Sequence, residues 1–354
     1  MKSINKYFKK PQIIALDTFF SEILYKKDLG YYQKNNPFGK DGDFVTSPSI
    51  SFLFSEMLAI WIINYWENLA KPKKINIVEL GPGNGELFKV LINTFKKFPS
   101  FFNSSNLFLY EKSKNLTQIQ KKKLDSNKVQ WISSLDKIKK GPVIFLGNEF
   151  FDAIPIKQFQ KSKKTIYEKF IKINKNFKIK TVFKKASKND VLLLQKYRLF
   201  NKNLFVEFPK LGLNELKPII KKIKKLDGGL LLIDYGYLKT KNISTLQSIK
   251  SHKKNDIFRN IGNADVTSLV NFDLLKNYFS KNSLNVSKIV PQSYFLKKIG
   301  ILTRAEIVGK HMTFKEKSDL YTRLERLLSH KYMGKLFKVI FAYTGQKKSL
   351  IGFS

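Results

Sequence analysis

A chain of 354 residues can bury a large core, and 43% hydrophobic residues with 31 Phe and 15 Tyr mark it as folded rather than disordered. The absence of cysteine excludes disulfides, thiolate metal sites and a thiol nucleophile, and His252, His311 and His330 match no metal-ligand spacing, so no metal is expected. The net charge of +39 invites a nucleic-acid reading, but only five of the 66 basic residues are arginine, the residue that base readout and stacking favour; a solvated lysine surface without a specific nucleic-acid partner is the expectation.

Residues 1–10 are basic but lead into no apolar region with a small-residue cleavage site, so a cytoplasmic location without a targeting segment is expected. Ile13, Leu16, Phe20, Ile23 and Leu24 then mark one helical face that ends near Gly30. Residues 31–48 read as a loop. Ser47 is placed to cap, and Pro48 to enter, a long helix running through Leu69 with a buried stripe of Leu53, Phe54, Met57, Leu58, Trp61 and Tyr65. Residues 1–70 are thus expected to be an N-terminal helical cap. The apolar runs, such as Met57 to Ile63 and Leu230 to Ile233, are too short to span a bilayer.

From residue 71 the pattern changes to alternating strands and helices: strand 75–80, helix 86–97, strand 106–111, helix 113–124, strand 128–132 and strand 142–148. Such alternation predicts a parallel sheet with helices on both faces. Between the first strand and first helix lies Glu79-Leu80-Gly81-Pro82-Gly83-Asn84-Gly85. Glycines there permit positive φ and let a ligand approach the backbone. The spacing differs from the dinucleotide fingerprint Gly-x-Gly-x-x-Gly. The compact form with a preceding acid suits a nucleotide-like ligand without a pyrophosphate, above all S-adenosylmethionine, although any tight strand-to-helix turn can use such glycines. Glu111 ends the second strand, 26 positions after Gly85, where a carboxylate can accept both ribose hydroxyls. Glu79, Gly81, Gly83, Gly85, Glu111 and Asn148 are therefore the cofactor-side candidates.

Strand 142–148 runs into Asn148-Glu149-Phe150-Phe151-Asp152-Ala153-Ile154-Pro155. Two acids three positions apart would meet on one helical turn, or would cap a helix start. Acids at a strand's carboxyl end also match what a cationic substrate needs. Residues 156–208 alternate apolar and charged residues, predicting an antiparallel insertion, and a helix near 211–226 follows. A buried strand at 229–237 carries Asp234, which could face the ligand edge or cap the next turn. Residues 240–272 read as a polar loop containing His252, with a direct catalytic part for that lone histidine the weaker reading. Helices around 271–281 and 303–330 and a last strand near 336–343 complete the chain. The fold class is α/β, with residues 71–155 and 226–354 as a core and 156–225 as an inserted substrate-side subdomain.

Several stretches resemble the MidA-type family of S-adenosylmethionine-dependent methyltransferases: Gly42-Asp43-Phe44-Val45-Thr46-Ser47-Pro48, Val78 to Gly85, Asn148 to Pro155, Asp234-Tyr235-Gly236, Ala264-Asp265-Val266-Thr267 with Asn271-Phe272, and Phe295 to Ile301. They stand in the family's order from about residue 11 to the C-terminus. Ser49, Asn255 and Ile261 depart from it, standing where Glu, His and Pro are usual. The resemblance implies a Rossmann-like class I methyltransferase core using S-adenosylmethionine. It further implies a protein arginine as acceptor, such as one in a subunit of respiratory NADH dehydrogenase (complex I), with symmetric dimethylation, since mitochondrial members are complex I assembly factors. Glu149 and Asp152 would hold the guanidinium, with Asp43 and Asp234 as lesser candidates. The other readings are a methyltransferase for RNA or a small amine, an assembly chaperone on the same fold, and, least supported by the glycine spacing, a dehydrogenase. RNA-base methylation is disfavoured because Asn148-Glu149-Phe150-Phe151 stands where many such enzymes carry Asn/Asp-Pro-Pro-Tyr.

Overall fold

In the computed structural model, which describes residues 4–34, 46–124, 127–239, 241–345 and 350–354, the apolar runs ending in polar residues become strands of one mixed sheet. Its order is Asn285–Val286, Phe337–Tyr343, Gly228–Tyr237, Val143–Asn148, Ile75–Leu80, Ser105–Tyr110, Val129–Ile132. The last five are mutually parallel and Phe337–Tyr343 is antiparallel. Every residue of Ile75–Leu80 is buried, as a strand covered on both faces requires. The buried Asn76 amide is satisfied by donating to the carbonyls of Lys140, Gly141 and Pro142 at 2.9–3.1 Å. The α/β Rossmann-like expectation holds, and the predicted strands agree to within about a residue.

The chain divides into two compact units. The first comprises Met1–Phe44, Phe151–Lys217 and Tyr237–Tyr278; the second comprises Val45–Phe150, Pro218–Gly236 and Phe279–Ser354. Residues 1–70 are therefore split between them rather than forming one cap.

In the second unit, the long helix is Phe52–Asn68, and all six stripe residues are buried. It begins later than expected. Ser47–Ile50 is a separate single turn, and Ser51 is extended (φ −151°, ψ 129°), its hydroxyl accepting the Leu53 N–H at 3.3 Å. Ser51, not Ser47, caps this helix. The predicted helix 303–330 is likewise interrupted, into Ile301–Gly309 and Phe314–Leu328, with Thr313 and Glu316 forming a capping box for the latter.

In the first unit, Gln12–Ala15 is a strand rather than the start of the expected helix, which is confined to Leu16–Tyr25. Ile13 and Ile14 pair antiparallel with Lys172 and Ile171 of Thr165–Ile173; β-branched side chains fit that pleated surface better than a helix. The antiparallel sheet runs Gln12–Ala15, Thr165–Ile173, Lys157–Ser162, Phe205–Phe208, with Ile179–Lys185 also pairing Thr165–Ile173. The helix Lys188–Lys196 interrupts these strands, which alternation alone did not foretell. A buried Lys157 pairs with Glu168 and lies 3.8 Å from Asp17 and 3.7 Å from Asp190, whose other oxygen meets Lys210 at 2.6 Å. Residues 240–272 are more ordered than a loop: Gln247–Lys250 lies between Lys253–Asn255 and Asp265–Thr267 as a three-stranded sheet. Among the described residues no helix is long and apolar enough to cross a membrane.

Candidate functional site

Pairing registers Leu80 with Tyr110, Glu79 with Leu146 and Ile233 with Asn148. The carboxyl ends of four adjacent strands therefore present, in order, Asp234, Asn148 with Glu149, Gly81 and Glu111 along one edge of the second unit. Open α/β sheets bind ligands at that edge. Gly81, Gly83 and Gly85 have φ of 60°, 52° and 79°. The bend opens with the Gly81 N–H donating to Tyr110 at 3.1 Å and closes with the Gly85 N–H donating to Pro82 at 2.8 Å. The Asn84 side chain then accepts the Glu86 N–H at 3.2 Å, starting the helix Glu86–Phe95. A Cβ on Gly81 would lie 3.1 Å from the Phe150 ring, and one on Gly147 would lie 2.7 Å from Leu232 and 3.4 Å from Phe150. The Phe150 side chain thus rests on two strand ends kept bare by glycine.

Two carboxyls flank this bend. Glu79 is buried and its Oε2 has no hydrogen-bond partner among the described residues. Burial, and secondarily Glu111, push its pKa up to about 8. Glu111 is only half-buried; its Oε1 accepts the Ser113 N–H at 2.7 Å and its Oε2 the Gln120 amide at 3.2 Å. Burial raises its pKa, and those two hydrogen bonds oppose the rise. Gln120 is the residue that sequence reading missed. It is fully buried, donates to the Gly83 carbonyl at 2.7 Å as well as to Glu111, and accepts the Trp131 indole N–H at 2.9 Å. A polar residue on the buried face of the helix Lys114–Lys123 was the available signal.

A concave main-chain bend flanked by one hydrogen-bonded acid and one buried carboxyl fits a cationic nucleoside such as S-adenosylmethionine. Gln120→Leu should leave the Gly83 carbonyl and the Trp131 indole unpaired and release Glu111. At about 1–3 kcal/mol for each unsatisfied group, we expect roughly 10- to 100-fold weaker cofactor binding by calorimetry, with a lowered melting temperature. Unchanged affinity would show that Gln120 only fills space.

The segment after Val143–Asn148 is neither a helical turn nor a helix cap. Glu149 has φ 49°, residues 151–154 form a tight turn with the Ile154 N–H donating to Phe151, and the next element is the strand Lys157–Ser162. Pro155 disfavours helix at Ile154. The Glu149 N–H donates to Ile233 at 2.9 Å, while its Oε1 accepts the Ser47 N–H at 3.0 Å and the Asn148 amide at 3.2 Å. Among the described residues the buried Asn148 Oδ1 has no hydrogen-bond partner. Asp234 is buried and accepts the N–H of Tyr235 at 3.0 Å, so it does bond the local backbone at the ligand edge. Asp152 is buried within the first unit, and Asp43 lies outside the described residues. His252 sits at an exposed hairpin turn with φ 61°.

A family model described as "Putative S-adenosyl-L-methionine-dependent methyltransferase" matches residues 57–290. Similar curated proteins include the mitochondrial protein arginine methyltransferase NDUFAF7 of Xenopus laevis, 29% identical over 92% of this chain and 80% of its own length. The Homo sapiens counterpart is 28% identical over 92% and 78%. A crystal structure from Burkholderia thailandensis, bound to S-adenosyl-homocysteine, shares the fold at a TM-score of 0.83 and 21% identity, over 97% of this chain and 90% of that one. With two-thirds of its length matched by the family model and the bend and acids in place, the chain belongs to this family of S-adenosyl-L-methionine-dependent methyltransferases.

Proposed function

We propose that this methyltransferase acts on a guanidinium nitrogen of a protein arginine, with Glu149 and Asp152 as substrate-side acids and Asp43 and Asp234 in lesser parts. The observation that carries the reading is Glu149 itself. A non-glycine residue in the left-handed region costs on the order of 1–3 kcal/mol and persists where the surroundings over-determine it. Here Ser47 and Asn148 orient its carboxylate beside the glycine bend's own strand edge. The relatives' name, protein arginine methyltransferase, supports the same acceptor.

S-adenosylmethionine supplies an electrophilic methyl carbon on a sulfonium. A guanidinium is protonated throughout the physiological range and is a weak nucleophile. The chain's task is to hold that cation in line and to take a proton as the new bond forms. Carboxylates do both, through charge-assisted hydrogen bonds and as general bases. Glu111 and the glycine bend would hold the nucleoside, and Glu79 would face positive charge on the donor.

Proteome mass spectrometry with and without the protein tests the acceptor. A lost symmetric dimethylarginine is expected, on a subunit of NADH dehydrogenase if the family resemblance extends to the substrate. Loss of a methyl mark from RNA or a small amine, with every methylarginine intact, would overturn the reading.

The Glu79 carboxyl also predicts a pH dependence. With its pKa pushed up to about 8, Glu79 is mainly neutral at pH 6–7 without ligand. A cationic donor favours the ionised form, so affinity should rise with pH by up to about tenfold per unit and level off above pH 8. Glu79→Gln should flatten that rise, as calorimetry between pH 6 and 9 would reveal. Ligand-free stability has the opposite sense: the contribution of protonated Glu79 is fully present below its unfolded value near 4.5 and lost as pH climbs through 8.

A further inference from the structure

The first unit contains a closed circuit of contacts around the main chain of Asp152 and Ala153. The Asp152 carbonyl accepts the Ser268 N–H at 3.1 Å. The next carbonyl, Ala153, accepts the Tyr25 hydroxyl at 2.8 Å. Tyr25 stacks on Tyr32, with ring centroids 5.2 Å apart and planes 19° apart. The Tyr32 hydroxyl donates to Asp265 Oδ1 at 2.7 Å, and that same oxygen accepts the Val266 N–H at 2.9 Å. Asp265 opens the strand Asp265–Thr267, which leads directly to Ser268 and so back to Asp152.

Two segments distant in sequence thereby fix one short stretch of main chain. Asp152, Asp265 and Tyr32 are all buried. A buried tyrosine bonded to a buried carboxylate is costly unless both are satisfied, and fully satisfied networks of this kind rigidify what they touch. The Tyr32 hydroxyl is held well above its usual pKa, first by burial, then by Asp265, with Tyr25 and Asp152 adding to it. It therefore remains a hydrogen-bond donor across the physiological range, and the negative charge of Asp152 lies near enough to be felt. The circuit holds the main chain from which the Asp152 side chain projects, and for an acid whose task is to hold a planar cation a misplacement of about 1 Å can cost about 10²-fold in rate.

We infer that Tyr25, Tyr32 and Asp265 are positioning residues for Asp152, setting the carboxylate that takes the substrate's guanidinium. The inference rests on the reading of Asp152 as a substrate-side acid. It assigns a part in substrate recognition to the Ala264-Asp265-Val266-Thr267 segment and to the N-terminal tyrosines.

Steady-state kinetics of the full-length enzyme with an arginine-containing acceptor protein tests it, alongside calorimetry with S-adenosylmethionine. Tyr32→Phe keeps the ring stack and removes only the hydroxyl. It should raise KM for the acceptor by about tenfold, the size of one buried hydrogen bond, and leave donor affinity within about twofold. Asp265→Ala should give a similar defect, Asp265→Asn should restore part of it by keeping an acceptor, and Tyr32→Phe should add nothing to Asp152→Asn. If Asp152→Asn impairs turnover while Tyr32→Phe leaves KM and kcat unchanged, the positioning inference alone fails. If Asp152→Asn is itself silent, the substrate-side reading and the inference fall together. Equal losses of donor and acceptor affinity in Tyr32→Phe would mark a general loss of structure and overturn the inference.

Discussion

Gly83→Val is expected to reduce S-adenosylmethionine affinity at least about 100-fold, or about 3 kcal/mol, in calorimetry on protein that still unfolds cooperatively. Gly83 sits at φ 52° between two other glycines of positive φ, and Pro82 ahead of it has its φ set by the ring. A β-branched residue is a severe outlier in that region, so the bend must reopen. The branched side chain would also occupy the face along which a ligand approaches the backbone. The Gly83 carbonyl is anchored by Gln120, which also holds Glu111. A shift at residue 83 therefore disturbs the bend and Glu111 together. Binding within about threefold of the parent protein would show that the bend is not the cofactor's seat.

Glu149→Gln is expected to lower kcat by about 10²–10⁴, the range of a lost general base, with donor affinity unchanged within about threefold. Gln is nearly isosteric and keeps an oxygen for the Ser47 N–H, so the local bonding of the carboxylate is preserved while its charge is removed. The expected split, normal donor binding with failed transfer, separates a substrate-side acid from a cofactor-side one. Glu111→Gln should show the reverse emphasis, because that acid lies beside the bend and bonds Ser113 and Gln120. Turnover at the parent rate in Glu149→Gln would remove Glu149 from the proposed chemistry.

Much of the second unit could be anticipated from local pattern. Ile75–Leu80, Val143–Asn148 and Phe337–Tyr343 are continuous apolar runs of strand length, and such runs have few alternatives to a buried sheet. Glycines spaced by two after an acid restrict the following turn just as narrowly. The first unit was harder. Ile13 and Ile14 satisfy helical and strand periodicity almost equally, and their partner, Thr165–Ile173, lies some 150 residues away. The helix expected from Ser47 failed for a comparable reason: the Ser47 N–H is taken by Glu149, 102 positions on, and Ser51 turns extended to begin the helix afresh.

Residue types and their order determined that this chain carries a parallel sheet, a glycine bend after its first parallel strand and acids at the sheet's carboxyl edge, because those features depend on neighbours within a few residues. Tertiary structure alone decided that Gln120 joins the bend to Glu111, that Glu149 is held in a left-handed conformation, and that Tyr32 and Asp265 close a circuit around Asp152. Each of these depends on hydrogen bonds between groups brought together only by folding, and no local periodicity records which distant donor will meet which acceptor.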